Sequence, residues 1–256
     1  MYLVGTRFNR YALLAMGWLW AILPTHAETW TIRADHWCPY NCTPGTDRPG
    51  YMIEILQRTA AKHGHTLDYR LMPWPRALQQ AREGLITGVV GMVASNREGL
   101  LLSDKMGVDA TCVFVLKGST LRYRRVSDLD SFGRIGIVEG YGYPDEFMQW
   151  QKRHARQVQA VAGENTLQMQ AKKLTSQRIE AFVENVNVVR HSESEVPELR
   201  WVGNAGCMQE EDLYFGYSKK VPHAASIKQM VDQELAAMKK NGELNKLLEK
   251  YRVAPW

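Results

Sequence analysis

The sequence lacks several features that would place it in a common functional class. Its 256 residues carry 32 Lys and Arg against 27 Asp and Glu, and positive charge concentrates only in the short segment 122–125. A formal charge of +5 over this length is mild, so nucleic-acid binding is disfavoured. Neither a Ser-His-Asp order nor an H-E-x-x-H motif is present. We therefore expect a protein that is not an enzyme and that uses no cofactor.

Long apolar runs are also missing, except at the N-terminus. Arg7 and Arg10 precede the apolar stretch 11–23, which is shorter than the roughly 20 residues of a membrane span. A proline and small residues follow, as before a cleavage site. This pattern predicts a signal peptide over residues 1–27, and the first mature residue, Glu28, is not a cysteine that could take a lipid. We expect a periplasmic protein without a lipid anchor.

Cysteine is scarce but even in number. The four cysteines are Cys38, Cys42, Cys112 and Cys207. In an oxidising compartment this favours disulfides. Cys38 and Cys42 are close enough to close a small loop, and their spacing has one residue too many for a thioredoxin-type pair. Cys112 and Cys207 are left as a possible second bridge. A metal site built on His36, Cys38 and Cys42 has no fourth ligand at a recognisable spacing, so no metal is expected.

The hydropathy pattern alternates strands and helices in two series. The first series predicts strands at 30–34, 66–72, 86–93 and 111–116, with helices at 51–63 and 75–82. After a polar stretch, the second series predicts strands at 134–138, 157–161, 179–183, 199–202 and 213–218, and helices at 144–156, 165–175, 224–240 and 243–251. Two such series predict two α/β lobes with a cleft between them.

Short motifs in a fixed order add a family resemblance. They are ADHWCPYN at 34–41 with GYMIEIL at 50–56, PWPRAL at 73–78, RIEAFVEN at 178–185, and MKKNGEL at 238–244. Together they resemble the bacterial periplasmic solute-binding proteins of the polar-amino-acid-binding type, extracellular family 3. The resemblance covers essentially the whole chain after the signal peptide.

The resemblance implies the type II periplasmic-binding-protein fold, with two lobes whose open sheets are joined by two crossover strands. Here those strands would be 111–116 and 213–218. Lobe one would comprise 28–113 and 216–256, with the terminal helices returning to it, and lobe two would comprise 114–215.

The resemblance also implies a function. Proteins of this kind bind a small polar solute, such as an amino acid or a related carboxylate, in the interlobe cleft and close on it. The expected partners are this small-molecule solute and an ABC-type membrane permease, and we expect a monomer. Two alternatives stay open: a periplasmic lyase or dehydratase on the same fold, and a solute sensor for a membrane signalling partner.

Lobe one supplies most of the expected solute contacts. Trp37 matches a position where the family carries an aromatic residue that stacks on the ligand, and Tyr40 lies in the same loop. Trp74 and Arg76 stand at the start of a helix. Arg97 is the nearest match to the family's arginine that holds the ligand carboxylate, although a surface position is an equal alternative.

Lobe two supplies the remaining expected contacts. Tyr141 and Gly142 lie in a glycine-rich turn. The backbone N–H groups of this turn could bind an anion, and the alternative is a turn without a binding role. Asn185 replaces an aspartate that holds the ammonium group in α-amino-acid-binding relatives, and Glu184 beside it should face the other way on a strand. With Arg76 and Arg97 in the cleft, the site would favour a carboxylate-bearing solute.

Overall fold

The computed structural model describes residue 2 and residues 27–256, so the predicted signal peptide lies almost wholly outside the described residues. The strands are β1 Thr29–Ala34, β2 Thr66–Leu71, β3 Gly88–Met92, β4 Leu100–Leu102, β5 Gly107–Asp109, β6 Thr111–Leu116, β7 Ile135–Val138, β8 Val158–Val161, β9 Ala181–Asn185, β10 Val202–Cys207 and β11 Glu211–Ser218. The α-helices are α1 Tyr51–Lys62, α2 Trp74–Glu83, α3 Asp145–Arg153, α4 Thr166–Thr175, α5 Val186–His191, α6 Ala224–Lys240 and α7 Glu243–Lys250. Within this part of the chain, no helix has the length and apolar character needed to cross a membrane.

The strands form two sheets, as expected for a two-lobed α/β protein. The first has the order β2-β1-β3-β11-β4, with β5 added along β11, and the second has the order β10-β6-β9-β7-β8. Strand β1 runs parallel to β2 and β3, and β7 runs parallel to β8 and β9. The remaining pairs are antiparallel. This is the arrangement of the type II periplasmic-binding fold.

The chain passes between the sheets at two adjacent points. The first is Ala110, between β5 and β6, and the second is the segment 208–210, between β10 and β11. The expected crossover strands 111–116 and 213–218 each lie inside a single sheet, so that identification was wrong. The chain changes sheets just before each of them, and we therefore place the lobe boundaries at 110 and 208–210.

Each lobe has its own core. In lobe one, Ile32 of β1 and Phe215 of β11 belong to the same buried cluster as Val231 of α6 and Leu248 of α7. The terminal helices therefore return to lobe one, as the resemblance implied. In lobe two, the second sheet is buried on both faces, with Val113 and Val183 in one cluster and Phe182 in another.

The local differences from the predicted elements have simple causes. The predicted strand 199–202 is wrong, because Pro197–Trp201 forms a short 3-10 helix and β10 begins only at Val202. Strands β4 and β5 have three residues each, too few to show a period. Helix α5 has six residues and begins where the Asn185 side chain accepts the N–H groups of Asn187 and Val188.

Candidate functional site

A narrow cavity lies between the two lobes. In this conformation it has room for about one water molecule. Nine of its lining residues come from lobe one and two from lobe two: Asp35, Trp37, Trp74, Val90, Gly91, Met92, Val93, Asn96 and Asp109, then Tyr141 and Gly142. The lobes are thus closed on each other, and side chains occupy most of the cleft.

The topology explains why polar groups gather here. Asp35 follows β1, Tyr141 lies shortly after β7, and Asn185 ends β9. These three strands are parallel members of their sheets, and the open α/β fold brings their carboxyl ends to the cleft. The loop after β1 is held by the backbone of Trp37, whose N–H donates to the Asn41 carbonyl at 2.8 Å. A conformationally fixed loop therefore presents the Trp37 ring.

Trp37 and Glu184 join the lobes. The indole Nε1–H donates to Oε1 of Glu184 at 2.9 Å, and the Asn185 backbone N–H donates to the same oxygen at 2.7 Å. Glu184 is only 4% exposed. The expectation that Glu184 faces away from the cleft was wrong, because the strand ends here and a side chain on either face can reach the opposite lobe.

Tyr141 makes a second link. Its hydroxyl donates to Oδ2 of Asp35, while the Trp74 indole N–H donates to the Gly140 carbonyl at 3.0 Å. The Tyr141 ring meets both indoles nearly edge to face, 6.3 Å from the Trp37 centroid at 80° and 6.3 Å from the Trp74 centroid at 85°. Three aromatic rings thus wall the cavity.

Asn185 forms a third link. Its Nδ2 donates to the Tyr40 hydroxyl at 3.0 Å and to Oδ1 of Asp109 at 2.7 Å. Its other amide atom, Oδ1, caps α5 through the N–H groups of Asn187 and Val188. In this conformation the hydrogen-bonding capacity of Asn185 goes to the protein itself.

The electrostatics of the cleft are acidic. Burial raises the pKa of Asp35 to about 6, that of Asp109 to about 6 and that of Glu184 to about 8. Arg76 and Arg97 are exposed and do not line the cavity. The cleft therefore presents carboxylates and aromatic rings where the sequence analysis expected two cations, and this conformation gives no support to Arg76 or Arg97 as a carboxylate anchor.

The sequence analysis predicted part of this site. The structure places Trp37, Trp74, Tyr141 and Gly142 on the cavity, with Tyr40 and Asn185 bonded behind it. The sequence analysis did not identify two aspartates of the site, Asp35 and Asp109. Asp35 stands directly after the first parallel strand, a position that could have identified it, whereas Asp109 lies in a three-residue strand that leaves no sequence signal.

Two disulfides flank the site. The predicted Cys38–Cys42 bridge is confirmed, and Cys112–Cys207 forms the second bridge. Cys112 lies opposite Cys207 in the β6–β10 pair, beside the two crossings. His191 brings a ring nitrogen within 4.8 Å of the Cys38 and Cys42 sulfurs, but both sulfurs are engaged in the disulfide.

Several solved structures share the fold of this chain. A histidine kinase sensor domain with similarity to periplasmic binding proteins shares 14% identity at a TM-score of 0.75, covering 89% of this chain and 98% of that one. A variant of ArgBP from T. maritima shares 15% identity at a TM-score of 0.71, covering 88% and 95%. AbpA from Streptococcus pneumoniae, an amino acid ABC transporter substrate-binding protein bound to L-arginine, shares 17% identity at 0.69, covering 88% and 94%. At these identities the likeness establishes the fold.

The sequence itself settles the family. A comparison with curated proteins finds no match. The family model of the bacterial extracellular solute-binding proteins, family 3, matches residues 32–254, which span both sheets, both crossings and the cavity. With its two-lobed fold and interlobe cavity, this chain belongs to the bacterial extracellular solute-binding proteins of family 3.

Proposed function

We propose that this protein is a periplasmic receptor, exported by a cleaved signal peptide, that binds a small polar solute in the interlobe cavity. One observation carries the proposal. Buried polar side chains of both lobes meet across this cavity, as in the Trp37–Glu184 and Tyr141–Asp35 hydrogen bonds. Polar groups kept at the meeting surface of two lobes suit a site that opens to water and closes on a polar ligand.

Closure follows from the connections between the lobes. Only the segments at 110 and 208–210 carry the chain from one sheet to the other among the described residues, and they lie side by side. Small changes in backbone angles there would swing the lobes apart as rigid bodies. A solute that contacts both lobes binds the closed form more tightly and so shifts the population towards it.

We infer binding and delivery rather than catalysis. The closed protein would dock on an ABC-type membrane permease, a role supported by the likeness to an amino acid ABC transporter substrate-binding protein. A second candidate is solute sensing for a membrane signalling partner, favoured by the likeness to a histidine kinase sensor domain. Uptake of labelled solute by cells with and without the gene would separate the roles, because only transport predicts lost uptake.

A thermal-shift screen tests the proposal. The mature protein, refolded to remove co-purified ligand, would be heated with amino acids, organic acids, amines and sugars. A ligand of the folded state raises the melting temperature by mass action, so a saturable rise is expected, with the solute recovered unchanged. Conversion of the solute would instead support the lyase or dehydratase alternative, and the absence of any shift would contradict the proposal.

A further inference from the structure

Three acidic side chains gather at the cleft, and no cation stands among the described residues that line the cavity. Asp35 and Asp109 line the cavity, and Glu184 lies buried behind Trp37. Among the described residues that line it, none is Lys, Arg or His. Buried carboxylates are normally paired with a cation or with several donors, because an isolated buried charge is strongly unfavourable. Asp109 has such donors, because the Asn185 amide and the Thr111 hydroxyl donate to its two oxygens. Asp35 is the cavity carboxylate for which a cationic partner is absent among the described lining residues.

Asp35 points to the place of that partner. It is 4% exposed and lines the cavity. One carboxylate oxygen accepts the Tyr141 hydroxyl, and apart from the backbone of Asp35 itself no other described residue donates a hydrogen bond to this carboxylate. Tyr141 comes from the opposite lobe, so its hydrogen bond to the Asp35 carboxylate holds the closed, solute-free cleft together. An N–H group of a solute can donate to the same carboxylate.

The aromatic walls suit the same charge. Trp37, Trp74 and Tyr141 surround the cavity with ring faces and edges. An ammonium or guanidinium group is attracted to such faces, and tryptophan is the best of them. A solute carboxylate would meet these ring faces and the carboxylates of Asp35, Asp109 and Glu184, with no guanidinium among the described residues that line the cavity to receive it. The cleft therefore favours a cation and disfavours an anion.

Resting on the proposed receptor function, we propose that the solute is an organic cation, a primary amine or guanidinium compound, that carries no carboxylate. Its charged group lies between the Trp37 and Trp74 rings and donates hydrogen bonds to Asp35 and to its acidic neighbours. Closure then replaces the Tyr141–Asp35 hydrogen bond by charge-assisted bonds, which are the stronger kind.

Matched compounds that differ by one carboxylate test this directly. Calorimetry at about pH 8 would compare tyramine with tyrosine, histamine with histidine, agmatine with arginine, and putrescine with ornithine. We expect the amine of at least one pair to bind at least about tenfold more tightly than its amino acid, and no pair to show the reverse. An amino acid that binds as tightly as its amine in every binding pair would overturn the inference while leaving the receptor function intact.

Variants locate the charge. Glu184→Gln keeps the acceptor for the Trp37 indole but removes the charge, and should weaken amine binding about tenfold. Asp35→Asn should do the same. The matched control is Glu249→Gln, an exposed acid on α7, which should bind as the wild type does. Unchanged affinity in both cleft variants, with melting curves that show them folded, would overturn the inference.

A wider screen separates this inference from the proposed function. If none of the four amines binds but a neutral or anionic solute does, the organic-cation proposal fails and the receptor function stands. If no solute of any class binds the refolded protein, both fail.

Discussion

At the scale of single residues, the buried carboxylates carry opposite consequences for stability and for binding. Burial raises the pKa of Asp35, Asp109 and Glu184, which means that the closed fold disfavours their charged forms. A group with a raised folded-state pKa contributes stability that is full below its unfolded pKa and is lost as pH rises through the folded value. The same charge that destabilises the closed, solute-free protein at high pH stabilises a bound cation.

The first prediction concerns pH. Between about pH 5 and pH 9, the melting temperature of the solute-free protein should fall, because the carboxyl groups of Asp35, Asp109 and Glu184 ionise in the closed cleft. Glu211, whose pKa burial raises to about 7, adds to the same trend beside Asp109. Tyr40 and Tyr141 stay neutral here, since burial raises the pKa of both phenols. A melting temperature that rose steadily across this window would contradict the prediction.

The second prediction concerns Glu184→Gln. At about pH 8.5 the variant should be more stable than the wild type by on the order of 2 kcal/mol, since a neutral amide replaces a buried charge. The gain should vanish near pH 5, where the wild-type carboxyl is protonated. Chemical unfolding at both pH values measures this, with Glu249→Gln as the control that should show no such difference. A stability loss at pH 8.5 would show that the Glu184 charge is compensated within the protein.

At the scale of elements, the junction of β9 and α5 ties the site to the fold. Asn185 caps α5 with one amide atom and with the other donates to Tyr40 and Asp109. The third prediction follows: Asn185→Asp keeps the cap but places a carboxylate against that of Asp109, and should cost about 2 kcal/mol at pH 8. Asn187→Asp is the control, because Asn187 also donates to Tyr40 but makes no hydrogen bond to Asp109.

The pH dependence of its stability shows why the Asn185→Asp variant is destabilised. If charge repulsion destabilises it, stability should recover towards pH 5, where the two carboxyls share a proton. A loss that is equal at both pH values would indicate a packing defect instead.

The disulfides differ in the length of chain that they close. Cys38 and Cys42 are 4 residues apart, whereas Cys112 and Cys207 are 95 apart. Because the entropy of loop closure grows with loop length, the fourth prediction is that the double variant Cys112→Ser with Cys207→Ser loses about 2–4 kcal/mol. The double variant Cys38→Ser with Cys42→Ser should lose less. Equal losses in denaturant unfolding would contradict this account of the bridges.

Sequence patterns predicted the long elements but only part of the site. Alternating and helical periods located elements such as β1, α1 and α6 within a few residues, because one face of each is buried. Asp109 was not predicted as a site residue, because the crossings between the lobes bring it to the cleft. Hydropathy periods describe single helices and strands and do not reveal such long-range neighbours. Arg97 was expected in the cleft from a family pattern and Arg76 from its place at the start of a helix, yet the loop after β3 and α2 leave both exposed.

At the scale of the whole molecule, two lobes meet at the cleft and are joined by two adjacent crossings of the chain among the described residues. Interlobe hydrogen bonds such as Trp37–Glu184 favour closure, while ionised carboxylates in the cleft oppose it. At about pH 8 the solute-free protein should therefore spend more time open than at pH 5. A solute shifts this balance only by as much as its affinity for the closed form exceeds that for the open form.

Small-angle X-ray scattering at about pH 8 tests solute-driven closure most directly. The solute-free protein should have a radius of gyration larger than that calculated from the closed structure described above. With a saturating concentration of the tightest-binding amine of the calorimetric series, the radius should fall to the calculated value, and the full scattering curve should match the closed structure. Identical scattering curves with and without a solute that calorimetry shows to be bound would contradict closure of the two lobes around it.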